Sequence, residues 1–320
     1  MKKLVLAIGL ALMVTTLTFG QKNKLSSTDR PLTPARGHYQ QLKSFDEKPK
    51  VHAGEIDQLK FPYDSAVAKR RLSLKPYYLV DVAPDEFKIP NPPANSSDQT
   101  KAELNYLLGL QQYRSEEDVR SSLHMAGVYY NLRVKPTDST YGQYRRNLFQ
   151  IGRSIGNWFN PEHLPVTTDV MARVWQDASF FIWSLKYKYA RVRPYVLEKD
   201  LENLEETDWA AYPSGHAANS YVNAFLYQEL APEFTDVLIK DAYDMAHSRE
   251  IIGVHYPSDS EASRIFARQF VNRLLSNKKF LGDFELMKNE WKEKAKETFS
   301  KPEESLKQGA VKSSCAKKCE

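Results

Sequence analysis

Residues 167–194 read TTDVMARVWQDASFFIWSLKYKYARVRP. Val170, Val174, Ala178, Phe181, Leu185 and Tyr189 recur every three or four positions, which is the period of one helix face. Thr167 or Thr168 can cap the start, and Pro194 stops the helix soon after Arg193. Upstream, Leu104, Leu107, Leu108 and Tyr113 keep the same spacing, as do Val119, Leu123, Ala126 and Tyr130. Tyr144, Leu148, Ile151, Ile155 and Trp158 form another stripe. Downstream, helices are expected from Ser214 to about Leu230, from Glu233 behind Pro232 to about Ile252, and from about Ser258 to Leu275. Strand signals are sparse and hairpin dipeptides are absent. The reading is all-α, a single helical-bundle domain over residues 76–285.

The flanks differ in character. Met1-Lys2-Lys3, the apolar stretch Leu4 to Phe19 and Gly20-Gln21 have the form of a cleaved secretory signal at 1–20, which implies a periplasmic or secreted protein. Residues 21–75 are polar and proline-punctuated and read as an extended N-terminal arm. Residues 76–99, with Pro76, Pro84, Pro90, Pro92 and Pro93, exclude long helices and suggest a loop wrapping into the domain. Residues 286–320 read as a charged tail. Cys315 and Cys319, the chain's two cysteines, lie there, so the core needs no disulfide; a local bridge between them and an unbridged tail both remain open.

The 320 residues carry a formal net charge of +5, with Lys2 and Lys3 contributing two of those charges. That is too little to argue for a nucleic-acid partner. After the first 20 residues no segment is long and apolar enough for stable membrane insertion. The sequence leaves a homo-oligomer open.

Three short segments carry the chemistry. In the first, Lys186 and Arg193 are seven apart, two turns along one face if the helix continues. Arg193 can fork two phosphate oxygens and Lys186 supplies a point charge. Lys188 and Arg191 read as the solvated face. In the second, Pro213-Ser214-Gly215-His216 fits a loop entering a helix. Ser214 caps it, Gly215 admits close backbone approach, and the first-turn N–H groups point at an anion. In the third, Ser248-Arg249 is followed by His255 and Asp259. Gly253 ends the preceding helix, and Ser258 with Glu261 has the form of a capping box. Asp259 can accept from Nδ1–H of His255, leaving Nε2 unprotonated and aimed at a substrate. His247 reads as a wall residue. A zinc site from His216, His247, His255 and Asp259 is conceivable, but without HExxH or a close HxH pair no metal and no cofactor is expected.

Taken together and in this order, with 18 residues between Pro194 and Pro213 and 31 between His216 and Ser248, the segments resemble the type-2 phosphatidic acid phosphatase superfamily. The likeness is to its soluble branch, the bacterial class A non-specific acid phosphatases, which are related to vanadium haloperoxidases. It implies the acid phosphatase/vanadium haloperoxidase helical fold over about residues 76–285. It also implies hydrolysis of small-molecule phosphate monoesters without a metal, inhibited by vanadate. In that family His255 is the nucleophile that becomes a phosphohistidine, Asp259 orients it, and His216 protonates the leaving alcohol. Lys186, Arg193, Ser214, Gly215 and Arg249 hold the phosphoryl oxygens. Those cations should depress the pKa of His216, so an acid pH optimum follows. Ala217, where relatives commonly carry a hydroxyl, and Trp209-Ala210-Ala211-Tyr212, in place of a small Gly-Ser pair, bear on substrate range. The rival readings are a vanadate-dependent haloperoxidase, a phosphatase specialised for lipid phosphates and, least favoured, a non-catalytic phosphate-binding protein.

Overall fold

The computed structural model describes residues 30, 39–42 and 54–299. The signal expected at 1–20, much of the arm and the cysteine-bearing tail lie outside the described residues. In chain order the helices are α1 (Tyr39–Leu42), α2 (Glu55–Gln58), α3 (Ser65–Arg71), α4 (Asp98–Tyr113), α5 (Glu116–Ala126) and α6 (Tyr141–Asn147). They continue as α7 (Pro165–Tyr189), α8 (Pro194–Leu197), α9 (Gly215–Leu230), α10 (Thr235–Ile251), α11 (Pro257–Ser276) and α12 (Lys278–Phe299). No strand occurs among the described residues, as an all-α reading requires.

The bundle is built around α9, which packs against α7, α10, α11 and α12. Every position from Ser220 to Tyr227 is buried, and a helix without a polar face belongs inside. Of the stripe quoted above, Val170, Val174, Ala178, Phe181 and Leu185 are buried on α7, and Tyr189 is half-buried at its end. Asp177, also buried on α7, accepts backbone N–H groups from Tyr77, Tyr78 and Leu79. That ties the proline-rich lead-in to the bundle and brings Phe87 against Phe181, Phe266 and Phe270.

Four local expectations change. The start of α7 is not capped by Thr167 or Thr168. Pro165 occupies its first turn, and the Val166 and Thr167 N–H groups, each at 2.8 Å, donate to the Glu290 carboxylate from α12. The supposed tail therefore begins later than residue 286. Helix α12 runs to Phe299, with Met287 and Trp291 buried beside Phe280 and Phe284. The stripe from Tyr144 to Trp158 is helical only as far as Asn147. Gly152 (φ +94°) and Gly156 (φ +159°) turn the chain, so Leu148 and Ile151 reach the core from a compact loop. A Cβ on Gly152 would stand 2.7 Å from the Phe159 ring. Lastly, part of the arm is docked. Phe61 donates its N–H to Ala190 O at 2.7 Å, and the Arg71 guanidinium of α3 lies 3.8 Å from the Trp183 ring centroid and 4.9 Å from that of Trp209.

Candidate active site

The three segments meet where α7 and α10 end and α9 and α11 begin. Lys186 sits in the last turn of α7, buried, and donates to the Ala210 and Ala211 carbonyls at 2.7 and 3.1 Å. The helix does not carry on to Arg193. Ala190 takes the left-handed conformation (φ 49°) and closes it, and Arg193 is extended, as a residue before proline must be. The seven-residue spacing therefore works through a turn rather than a shared helix face. Arg193 Nε donates to Trp209 O at 3.0 Å, and Nη1 donates to Val254 O at 2.6 Å and reaches His255 Nε2 at 3.0 Å. Arg249 enters from α10 and its Nη2 pairs with the Glu205 carboxylate. Arg193 Nη2 and Arg249 Nε and Nη1 are buried N–H groups without an acceptor, an arrangement that suits an incoming anion. Burial holds these cations below their usual basicity, with repulsion from neighbouring cations added at Lys186, which lies well below, and at Arg193, at about 10; at Arg249 burial acts against the Glu205 carboxylate.

Ser214 is the N-cap of α9 and its hydroxyl accepts from Ala217 N at 3.4 Å. A Cβ on Gly215 would meet no protein atom within 4 Å, and Gly215 borders the central cavity. The glycine thus keeps the helix's first turn open on that side. His216 Nε2 donates to Ala126 O, which lies at 3.0 Å and can only accept. Burial, then Arg249, holds the His216 pKa well below the ordinary histidine value.

Gly253 ends α10 with φ +75°, as expected, because a Cβ there would lie 2.7 Å from Glu202 O. The turn leads directly to His255. Its Nδ1 is 3.0 Å from Asp259 Oδ2, which also accepts the Tyr256 N–H at 3.0 Å. An acceptor at Nδ1 and the Arg193 donor at Nε2 together select the Nδ1–H tautomer, with the Nε2 lone pair towards the cations. Burial first, then Arg193, Lys186 and Arg249, keeps the His255 pKa well below its ordinary value.

Arg191 is not on a solvated face. It is buried, donating from Nη1 to Asp259 Oδ1 and Ser258 Oγ, both at 2.7 Å, and from Nη2 to Glu103 at 3.2 Å, with Tyr256 stacked at 3.7 Å. Lys188 is the solvated one, paired with Asp85. Nor do Ser258 and Glu261 form a capping box. Ser258 N and Oγ both donate at 2.8 Å to Glu103, and Glu261 pairs with Arg264. Sequence spacing could not find Glu103, a fully buried carboxylate on α4 far from the motifs. Glu205 was missed for the same reason. His247 lies apart from the cavity wall, bonded to Glu250 at 3.0 Å. Among the described residues no cluster of three histidine, cysteine or acidic side chains could hold a metal ion.

The site opens into a cavity of about 430 Å³ bordered by Lys186, Gly215, His216, Arg249 and His255. No family model matches the chain. Among curated proteins it is 36% identical over 115 residues to a non-specific acid phosphatase of Providencia stuartii, covering 34% of this chain and 46% of that protein. It is 31% identical over 117 residues to a non-specific acid phosphatase of Salmonella typhi, with the same coverage. An acid phosphatase of Zymomonas mobilis is 29% identical over 150 residues, 45% of this chain and 56% of its own length. The chain spans about half the length of these relatives. Among solved structures, a bacterial vanadium-dependent iodoperoxidase has a TM-score of 0.50 at 16% identity over 73% of this chain and 62% of its own. A bacterial vanadium-dependent chloroperoxidase has a TM-score of 0.50 at 11% identity over 72% and 60%. At such identities the likeness is one of fold. Over the matched part of the chain the relatives are named acid phosphatases, and the fold resembles that of the vanadium-dependent haloperoxidases.

Proposed function

We propose that this chain is an exported phosphomonoesterase that works through a phosphohistidine and needs no metal. The observation that carries the reading is the His255 Nε2 lone pair, fixed by Asp259 and facing buried guanidinium N–H groups that lack acceptors. The phosphoryl group of a monoester sits among Lys186, Arg193, Arg249 and the first-turn N–H groups behind Ser214 and Gly215. His255 Nε2 forms a bond to phosphorus as the P–O bond to the alcohol breaks. The alcohol oxygen leaves with a proton from His216. With Nε2 of His216 engaged by the Ala126 carbonyl, Nδ1 is the nitrogen that gives this proton. Water then attacks the phosphohistidine, neutral His216 takes its proton, and phosphate departs with His255 restored. The cations spread the charge on the equatorial oxygens. Asp259 supports the phosphohistidine cation through Nδ1–H.

The tests are p-nitrophenyl phosphate turnover with EDTA and with orthovanadate, and phosphate trapped on His255 by acid quench under alkaline work-up. Full activity in EDTA, inhibition by orthovanadate and no turnover in His255→Ala are expected. Loss in EDTA with recovery on zinc or magnesium overturns the metal-free mechanism. Halide oxidation without ester hydrolysis favours the haloperoxidase alternative. Export is tested by locating the protein and sequencing its N-terminus, expected to follow Gly20.

A further inference from the structure

Three successive carbonyls fix two of the cations in the cradle. Trp209 O accepts from Arg193 Nε at 3.0 Å, and Ala210 O and Ala211 O accept from Lys186 Nζ at 2.7 and 3.1 Å. Ala211 N donates to Arg191 O at 2.9 Å, so this strip runs beside the turn that follows α7. The strip lies between α8 and α9, outside any helix. Its position therefore depends on what its side chains touch. Helix α3 of the arm grips both parts of this arrangement. The Arg71 guanidinium stacks on the rings of Trp183 and Trp209, at 3.8 and 4.9 Å from their centroids, and the two indoles meet edge to face at 5.8 Å. Both indoles border the catalytic cavity, and both also border a smaller one of about 140 Å³ that Arg71 and Lys186 share. Phe61 N–H holds the carbonyl of Ala190, the left-handed residue that closes α7 between Lys186 and Arg193. The grip is anchored in turn. Asp64 caps α3 through the Ala66 and Val67 N–H groups at 2.8 and 2.9 Å, and Arg133 Nη2 donates to Arg70 O at 3.0 Å and Ser73 Oγ at 2.7 Å. Asp208 stands 3.6 Å from Arg71 but is mostly exposed, so that ion pair adds little and the ring stack carries the contact.

Resting on the phosphomonoesterase reading of the cradle, we propose that Arg71 is a positioning residue for phosphate binding. Its stack on Trp183 and Trp209 sets the 209–211 carbonyls, and through them Arg193 and Lys186. Arg71 does not itself border the catalytic cavity, so it acts through the indoles. Arginine suits the task because a planar guanidinium lies flat on a ring, whereas an ammonium is a point charge. The docked arm is thereby part of the site.

The test is the Kd of inorganic phosphate by calorimetry, beside kcat/KM for p-nitrophenyl phosphate, in the full chain carrying Arg71→Ala or Arg71→Lys, with circular dichroism and Tm for folding. In Arg71→Ala the Kd should rise, and kcat/KM fall, by about three- to thirtyfold, the span of a lost cation–π contact. Arg71→Lys keeps the charge and loses the flat stack, so it should lie nearer to Arg71→Ala than to the wild type. It carries the test alone if Arg71→Ala does not fold. Free guanidinium at millimolar concentration should recover part of the phosphate affinity of Arg71→Ala and leave the wild type unchanged. A lowered Tm with an unchanged phosphate Kd would show that Arg71 only fastens the arm, and wild-type affinity in Arg71→Lys would show that its charge alone matters; either result overturns the positioning role. A wild type that binds phosphate but hydrolyses no ester overturns the phosphomonoesterase reading instead, and the Kd comparison still decides what Arg71 does.

Discussion

Arg191 and Glu103 govern the His255–Asp259 pair from behind. Asp259 is fully buried, and its second oxygen is held by the Arg191 guanidinium, which Glu103 and Ser258 hold in turn. Removing Arg191 outright would strand two buried carboxylates and threatens the fold. Arg191→Lys is the informative change, because it keeps the charge and loses the fork. We expect kcat to fall by about ten- to a hundredfold with KM nearly unchanged. Steady-state kinetics with circular dichroism for folding would check this, and an unchanged kcat would show that the Tyr256 N–H alone suffices to hold Asp259. Asp259→Asn should lower kcat strongly for the reason that an amide can select the wrong tautomer; near-wild-type kcat in the folded variant would reduce Asp259 to a helix-start residue. At this scale each of the eight residues singled out in the sequence lies in a short segment whose spacing is its signal; Lys186, Gly215, His216, Arg249 and His255 border the cavity, and Arg193, Ser214 and Asp259 lie beside them. The supporting layer was illegible. Arg191 looks like any arginine near a helix end, and Glu103 and Glu205 reach the site only through tertiary packing.

Helix α12 shows where element-level reading falls short. Beyond Asp283 the charged residues outnumber the apolar ones, so the stretch resembles a solvated tail. Yet Phe280, Phe284, Met287 and Trp291 recur at helical spacing and are buried. Trp291 packs on Trp158, Phe159 and Tyr227, and its Nε1 donates to Thr167 Oγ1 at 2.9 Å. Glu290 caps α7, the helix that carries Lys186. Trp291→Ala should therefore cost about 3–5 kcal/mol, the range for deleting a buried aromatic. Glu290→Ala should cost about 1 kcal/mol as a lost cap. Urea unfolding followed by fluorescence and circular dichroism measures both, and a Trp291→Ala loss under 1 kcal/mol would mean the end of α12 is not part of the cooperative unit. The long helices α7, α9, α10 and α11 were legible because their apolar periods are sustained. The loop after α6 was not, because its buried residues imitate a helical stripe and only Gly152 and Gly156 betray the turns.

Across the whole molecule, the bundle gathers three buried cations and two histidines with depressed pKa values at one end and leaves several guanidinium N–H groups without acceptors. An oxyanion bound there should neutralise the cations and remove part of what depresses the histidines. Burial is the first cause of those depressed pKa values and stays in place, but the repulsion from Arg249, Lys186 and Arg193 is screened by the ligand. Binding should then raise the histidine pKa values from their low free-state positions. The bound state carries more protons than the free state, so affinity must rise as pH falls below the ordinary histidine value of about 6.5. Sulfate is the cleaner probe, because it stays doubly charged over this range whereas phosphate changes its own charge. Sulfate should raise Tm, and at 100 times its Kd the added stability should be about 2.7 kcal/mol. Its Kd should fall between pH 7.5 and 5.5, with proton uptake seen as a buffer-dependent heat in calorimetry. Asp and Glu titrations that do not face the anion cancel in this comparison, since they are common to the free and bound states. Arg249→Ala removes one repelling cation and one donor, so it should weaken sulfate binding and flatten the pH dependence together. A sulfate affinity that stayed constant over this interval would show that the histidines do not respond to the anion, and the electrostatic coupling between cradle and acid would have to be abandoned.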